Sequence, residues 1–366
     1  MLTAATGDGR PVPDACLAPL PRVVAIGGGT GLPNVLRGLR SVLFSGVHEQ
    51  AGGEHLVAVV TTSDDGGSSG RLRTQFNVIP PGDIRNCLAA LSNRDSEMAS
   101  VFQYRFEAGD GLTGHAIGNL VLTALADVTH DFVTAVDIAA RLLGARGIVL
   151  PATAEGITLE AEFADGRVLR GETAIAAAGG AIRRIRLVPP RPTCLPRVAD
   201  AIARADVIIA GPGSLYTSIL PPLLVDAVAG AIDASPATAV LIANLMTEPG
   251  ETDRYGLLDH LVAIERHLGR QLFDCVIYNT RPVPAPVAAA YRARGAFPIV
   301  PSRGELEELA RRGVRAVGMP LLLVQPAGKI RHHPGRVAAA LAALRRRTPE
   351  ASRDAEAARD ARGGGF

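Results

Sequence analysis

The sequence has no tryptophan, a single lysine (Lys329) among 38 basic residues, and aromatic residues at only 4% of 366 positions. The preference for arginine over lysine reads as a GC-rich coding habit rather than a functional signal. Cysteine is sparse: Cys16, Cys87, Cys194 and Cys275 are scattered, with no Cys-x-x-Cys spacing. That argues against a disulfide framework or a zinc site and for reduced thiols in a cytosol. No uninterrupted apolar run approaches the roughly 20 residues a spanning helix needs. Residues 1–20 are rich in Gly, Pro and Ala but lack the apolar centre of a signal peptide. The expectation is a soluble, cytoplasmic protein with no membrane span. A formal net charge of +2 without a basic stripe does not imply nucleic acid as a partner. Two nucleotide fingerprints are also missing. No Gly-Lys-Ser/Thr follows a glycine loop, and the third glycine of a dinucleotide loop falls on Leu32, which argues against a nicotinamide oxidoreductase.

What is present is an α/β rhythm in a chain long enough for a sizeable core, with 47% hydrophobic residues. The stretch from Arg22 to Arg73 sets the pattern. Two apolar runs, Val23–Ile26 and Leu56–Val60, read as buried parallel strands, and Leu32, Val35, Leu36 and Leu39 recur at helical spacing between them. The first loop, Gly27-Gly28-Gly29-Thr30-Gly31, opens the helix. Free N–H groups and the helix dipole favour a phosphate there, with the Thr30 hydroxyl as a further donor. A plain tight turn is the competing reading. The second loop carries adjacent carboxylates, Asp64 and Asp65, then Ser68, Ser69, Arg71 and Arg73. Acids beside a phosphate site usually serve a metal or sugar hydroxyls, and arginines serve phosphate. Asp64 and Asp65 are the candidate Mg²⁺ ligands. Alternatively, Asp65 caps the glycine turn and Asp64 pairs with Arg71 or Arg73.

Further along, Asp83 is placed to cap a helix through Ile84, Cys87, Leu88 and Leu91, with Arg85 and Asn86 in its first turn. Phe102, Tyr104 and Phe106 alternate and read as core. Gly114 begins an apolar helix on which His115 and Asn119 share a face, as ligand contacts or as satisfied core groups. From about 147 to 188, alternation at Ile157, Leu159, Ala161 and Phe163 before Asp165-Gly166 predicts a small β-rich insertion, a lid or a dimer contact. A strand then leads to Gly211-Pro212-Gly213-Ser214, whose backbone donors suit a phosphate or carboxylate. Another ends at Asn244, followed by Glu248 and Glu251, candidates for a base or ribose contact. His260 and His267 share a helical face and read as solvated. No His/Asp/Ser order forms a hydrolase triad.

In order, Gly27–Gly31, Asp64–Arg73, Pro81–Asn86, Gly114–Asn119, Gly211–Ile219 and Asn244–Thr252 resemble the gluconeogenesis factor (YvcK-like) branch of the CofD-like superfamily. The resemblance runs from about Arg22 to about Leu344. It implies an α/β, Rossmann-like three-layer fold with a mostly parallel sheet, as a single domain over 21–344. Composition marks 1–20 and 345–366 as disordered tails. The resemblance further implies a bacterial protein that binds a nucleotide sugar, UDP-N-acetylglucosamine first, and regulates carbon metabolism and cell-wall supply, hence cell shape. Its ligand-binding residues would be Gly28, Gly29, Thr30, Gly31, Asp65, Ser68, Ser69, Arg71, Asn86, His115, Asn119, Gly211, Gly213, Ser214 and Asn244. The family pattern also carries a tyrosine and a later arginine, matched here by Tyr291 and Arg331. A ring can stack on a base and an arginine can pair with a diphosphate. The other branch transfers 2-phospho-lactate from a nucleoside diphosphate carrier to a deazaflavin precursor. Few aromatics are available to wall a flat acceptor, which favours the binding regulator over the transferase. Mg²⁺ as cofactor and a homodimer as assembly stay open.

Overall fold

The computed structural model describes residues 20–345 except 49, 94 and 95. The predicted tails lie almost wholly outside the described residues. Apolar runs form the strands, in chain order Val23–Gly27 (β1), Leu56–Val60 (β2), Ile148–Pro151 (β3), Thr158–Phe163 (β4), Val168–Arg170 (β5) and Ile182–Val188 (β6). Val207–Ala210 (β7), Thr238–Ile242 (β8), Cys275–Asn279 (β9), Arg315–Met319 (β10), Leu322–Val324 (β11) and Ile330–His332 (β12) follow. Seven of them make one sheet in the order β10-β9-β8-β7-β1-β2-β3. Every pairing in that sheet is parallel. The central strands β1, β2 and β7 are buried along their whole length, as expected of a parallel sheet covered on both faces.

Successive residues of a strand face opposite layers. Val24 and Ile26 enter a core with Phe163, Tyr216 and Ile264, whereas Val23 and Ala25 enter a second one with Leu36, Leu88 and Leu341. The sheet is therefore the middle of three layers. The helix Gly31–Leu43 returns the chain from β1 to β2, and the C-terminal helix Pro334–Arg345 packs on it. The Cβ that a larger residue would add at Gly38 falls 2.2 Å from the Pro334 carbonyl oxygen, so the close approach of these helices requires glycine there.

The predicted insertion is real but starts later. Ile148–Pro151 belongs to the main sheet, paired with β2, because Val149 and Leu150 are buried as sheet core. The insertion proper is the antiparallel sheet β5-β4-β6 with the helix Glu172–Ala178. On β4, Leu159, Ala161 and Phe163 point into the same core as the main sheet. The element therefore packs on the body and is not a separate domain. Two other local expectations change. Phe102 is core, but Tyr104 is 52% exposed, because a helix Glu97–Gln103 replaces the expected alternation. His260 and His267 face inward: His260 is 3% exposed and His267 accepts the Ile185 N–H at 3.0 Å. No single described helix is long and apolar enough to cross a membrane.

The connectivity places the site. From β1 the chain moves outward one way to β2 and β3, and β7 then starts the opposite wing. At such a switch point the loops after the two central strands diverge and leave a crevice beyond their carboxyl ends.

Candidate functional site

The crevice between the loops after β1 and β7 is a cleft of about 370 Å³. Its floor is the two glycine loops, Gly29, Thr30 and Gly31 from one and Pro212, Gly213 and Ser214 from the other. Gly29 has φ +63, a left-handed conformation that glycine adopts without strain. A Cβ on Gly31 would lie 2.2 Å from the Pro212 carbonyl oxygen, so the loops can touch only because that residue is glycine. Thr30 is the N-cap of the helix Gly31–Leu43, yet its side chain makes no capping hydrogen bond. The first-turn N–H groups at this helix end are therefore not capped by the Thr30 side chain.

Asn244 sets the second loop. Its Nδ2 donates to the Gly213 carbonyl at 2.8 Å and its Oδ1 accepts the Gly213 N–H at 3.1 Å. It lines the cleft but spends its amide on positioning. Gly211 donates its N–H to the Ile26 carbonyl at 2.9 Å and thereby ties the two loops together below the floor. Gly28 sits under the first loop between Thr61 and Asp83.

The far wall comes from the segments around Tyr291 and β12. Tyr291 is half-buried, and its hydroxyl accepts the Ile330 N–H at 3.0 Å, which fixes the ring against the β12 strand. Arg331 lines the same wall. Arg294 and His332 are among the lining residues missing from the sequence-derived set. Arg294 follows Tyr291 by three residues, and its place in Tyr-Arg-Ala-Arg-Gly was the available signal. His332 Nε2 hydrogen-bonds the Ala243 carbonyl at 3.0 Å, and burial pushes the imidazole down to about 4. It is therefore neutral and acts as a strut between β8 and β12. Glu248 also faces the cleft, with its Oε2 buried and unbonded. Nearby Glu251 is pushed up to about 8 by burial and by Glu248, so its carboxyl is protonated at neutral pH.

The remaining predicted residues do not line this cleft. They gather beyond the loop after β2. Asp64 accepts the Gly66 N–H at 2.9 Å, so it, and not Asp65, caps the glycine turn. Asp65 accepts from the Thr173 N–H and hydroxyl at 2.9 and 2.8 Å, tethering this loop to the insertion helix. Neither acid is ion-paired with Arg71 or Arg73, which instead donate to the Thr113 carbonyl and the Thr158 hydroxyl. Ser69 lies against Gly82, and Asn86 accepts from the Arg85 guanidinium at 2.8 Å. His115 precedes the helix, which starts at Ile117, yet it still meets Asn119 through a shared partner. The Ser68 hydroxyl is 3.0 Å from His115 Nδ1 and accepts from Asn119 Nδ2 at 2.9 Å.

Asp83 links the two regions. It lies in the first turn of the helix Gly82–Leu91 but does not cap it, and its Oδ2 accepts the Gly29 N–H at 2.7 Å. Burial, with help from the Asp64 charge, pushes its carboxyl up to about 6 despite that hydrogen bond. Glu172, on the insertion helix, is pushed up to about 9 by burial and then by the charges of Asp83, Asp64, Asp65 and Glu251. The carboxyl groups of Asp64, Asp65, Asp83, Glu172 and Glu251 thus lie near enough to act on one another. Among the described residues, no three His, Cys, Asp or Glu side chains are grouped so as to hold a metal ion.

The family model described as 2-phospho-L-lactate transferase CofD matches residues 23–322. The chain belongs to the CofD family. Within it, the chain is 42% identical over 326 residues to the gluconeogenesis factor of Listeria innocua, covering 88% of this chain and 95% of that one. It is 41% identical over 324 residues to the gluconeogenesis factor of Bacillus subtilis, covering 88% and 98%. A crystal structure of a Bacillus halodurans protein of the upf0052 family superposes with a TM-score of 0.81 at 41% identity, over 87% of this chain and 99% of that one. The CofD-family fold thus carries both glycine loops and the segment of Tyr291, while β12 with Arg331 lies just beyond the matched residues.

Proposed function

We propose that this CofD-family protein binds a nucleotide sugar at the switch-point cleft and acts as a regulator of carbon metabolism, with UDP-N-acetylglucosamine the leading ligand. The observation that carries the reading is the pairing of two glycine loops at the β1/β7 switch point, opposite a wall bearing Tyr291, Arg294 and Arg331. A diphosphate placed on the loops meets backbone N–H groups from below and two guanidinium groups from across the cleft. Tyr291 offers its ring to the base. Glu248, which lines the cleft with its Oε2 buried and unbonded, is the carboxyl placed to meet a sugar hydroxyl. The volume falls within the range usual for small-molecule sites, about 300–1,000 Å³. Similarity to proteins named gluconeogenesis factors supports a role in carbon metabolism.

A transferase reading has one specific observation in its favour, the carboxylates of Asp64, Asp83 and Glu172 converging near the loop after β1. The described residues do not supply a three-ligand metal cage. A Mg²⁺ ion carried by the nucleotide phosphates would find Asp64 as the protein oxygen, and it would neutralise diphosphate charge there. Calorimetric titration with UDP-, GDP- and ADP-linked sugars, with and without Mg²⁺, separates these readings. The regulator reading expects saturable binding of a UDP-sugar that is recovered chemically unchanged after long incubation. Release of free nucleotide from it would favour the transferase.

A further inference from the structure

We propose that the insertion helix Glu172–Ala178 is a latch that positions the sugar-facing carboxyl of Glu248, with Thr173 as the residue that closes it onto Asp65. The inference rests on the switch-point reading, because Glu248 lines that cleft, whereas Thr173 does not. The latch is built into the start of the helix. The N-cap position is Gly171, which has no side chain to offer the first-turn N–H groups. Asp65 supplies the missing cap from the loop after β2. It accepts the Thr173 N–H at 2.9 Å and the Thr173 hydroxyl at 2.8 Å. Free N–H groups and the positive end of the helix dipole favour a carboxylate in that place. A Cβ at Gly171 would lie 2.3 Å from Asp65 Oδ2, so the carboxylate occupies the space that glycine leaves.

Few other contacts hold the helix. Thr173, Ala174, Ala176 and Ala177 are exposed, and Ile175 is its one fully buried side chain. At the other end Arg167 donates to the Ala178 and Gly179 carbonyls at 3.4 and 2.9 Å, a contact that lies within the insertion itself. A helix of seven residues is too short to be stable alone, so its position follows its tethers.

The far end of the helix meets the turn that carries Glu248. That turn is closed on itself. The Glu248 N–H donates to Thr252 Oγ1 at 2.8 Å, and the Glu251 and Thr252 N–H groups donate to the Glu248 carbonyl at 3.1 and 2.9 Å. A turn bonded in this way shifts as a unit. Its tip, Gly250, has φ +82 and lies so close to the helix end that a Cβ there would be 3.0 Å from the Gly179 Cα. At the start of the helix, Glu172 and Glu251 are near enough for their charges to act on each other. The helix thus bears on the turn at both of its ends, and the turn brings the unbonded Glu248 Oε2 to the cleft. Closing the latch fixes where that oxygen stands. The groups assigned to base and diphosphate, Tyr291, Arg331 and the two glycine loops, belong to other elements. The latch therefore bears on the sugar rather than on the nucleotide.

The test is hydrogen exchange by mass spectrometry on the full chain, paired with calorimetry using UDP-N-acetylglucosamine and UDP. In the ligand-free protein, Thr173→Val should raise exchange across 172–178 about tenfold, the scale of one lost charge-assisted hydrogen bond. It should raise exchange across 248–252 as well, with β1 and β7 unchanged. Thr173→Ser, which keeps the hydroxyl, should restore both segments. In calorimetry, Thr173→Val should weaken UDP-N-acetylglucosamine about fivefold or more, the lower end of typical coupling between sites, and leave UDP affinity unchanged. By reciprocity, UDP-N-acetylglucosamine and not UDP should slow exchange across 172–178 in the parent. Exchange across 248–252 that ignores Thr173→Val, or equal losses of the two ligands, would overturn the proposal. The exchange arm needs no ligand, which keeps the two failures apart. A parent that binds no nucleotide sugar would remove the switch-point reading and the sugar role of Glu248 with it, whereas coupled exchange of the two segments would still establish the latch.

Discussion

Asp83 gives the sharpest quantitative consequence of the site's electrostatics. Its carboxylate accepts the Gly29 N–H at 2.7 Å and feels the Arg85 charge, but burial and the neighbouring Asp64 charge act against it. The balance is unfavourable to the charge, and the carboxyl rises from an ordinary 3.8 to about 6. Because the folded-state value lies above the unfolded one, the folded protein binds the proton more tightly. Its stabilising contribution is fully present below pH 3.8 and is lost as pH rises through about 6. At about 1.4 kcal/mol per pH unit the rise amounts to about 3 kcal/mol, an upper figure. Solvent reaching the partly accessible carboxyl reduces it toward about 2 kcal/mol. Asp83→Asn removes the charge while keeping an oxygen for the Gly29 N–H. At pH 7.5 the variant should therefore be more stable than the parent by about 2–3 kcal/mol, raising Tm by about 3–4 °C for a chain of this size. The gain should shrink steadily toward pH 4. Thermal denaturation across pH 4–8 measures both. A variant that melts below the parent at pH 7.5, or a difference that does not change with pH, would refute the reasoning.

Other consequences are more direct. Gly29→Val places a branched side chain where phosphate approaches the loop, in a backbone conformation that valine resists, so a folded variant should lose diphosphate binding; unaltered nucleotide affinity by calorimetry would remove the loop from the site. Tyr291→Ala should weaken the whole nucleotide more than free diphosphate, by about 1–3 kcal/mol for a stacked base; equal losses would place the ring away from the base. Asp64→Asn should abolish any Mg²⁺ enhancement of nucleotide-sugar affinity while leaving Mg²⁺-free binding nearly unchanged, a comparison of paired titrations.

Much of the frame could be read from short-range pattern. The apolar runs at Val23 and Leu56 became β1 and β2 with buried faces, and the glycine loops after β1 and β7 met at a switch point. Such features are legible because strand burial and helix starts are set by residues within a turn or two of each other. What was not legible depends on partners far apart in sequence. Asp65 is held by Thr173 across 108 residues, so it is Asp64, not Asp65, that takes the Gly66 N–H of the glycine turn. Asp83 looked like a helix cap because local rules favour that role, but Gly29, 54 residues away, takes its carboxylate. His267 looked solvated from its helix alone, and only the arrival of β6 gives it the Ile185 N–H. Splitting the candidate residues into a switch-point group and a group beyond the loop after β2 also required the fold. Nothing in their spacing distinguishes Ser68 and His115 from Gly213 and Asn244.

The central claim is that ligand phosphates rest on the two glycine loops at the β1/β7 switch point. A crystal structure of the protein soaked with UDP-N-acetylglucosamine tests it most directly. The account predicts diphosphate density against Gly29–Gly31 and Gly213–Ser214, with the uracil beside Tyr291 and a guanidinium of Arg331 or Arg294 on the phosphates. Density for the nucleotide over Ser68, Arg71 and His115, with the switch-point cleft holding only solvent, would contradict it.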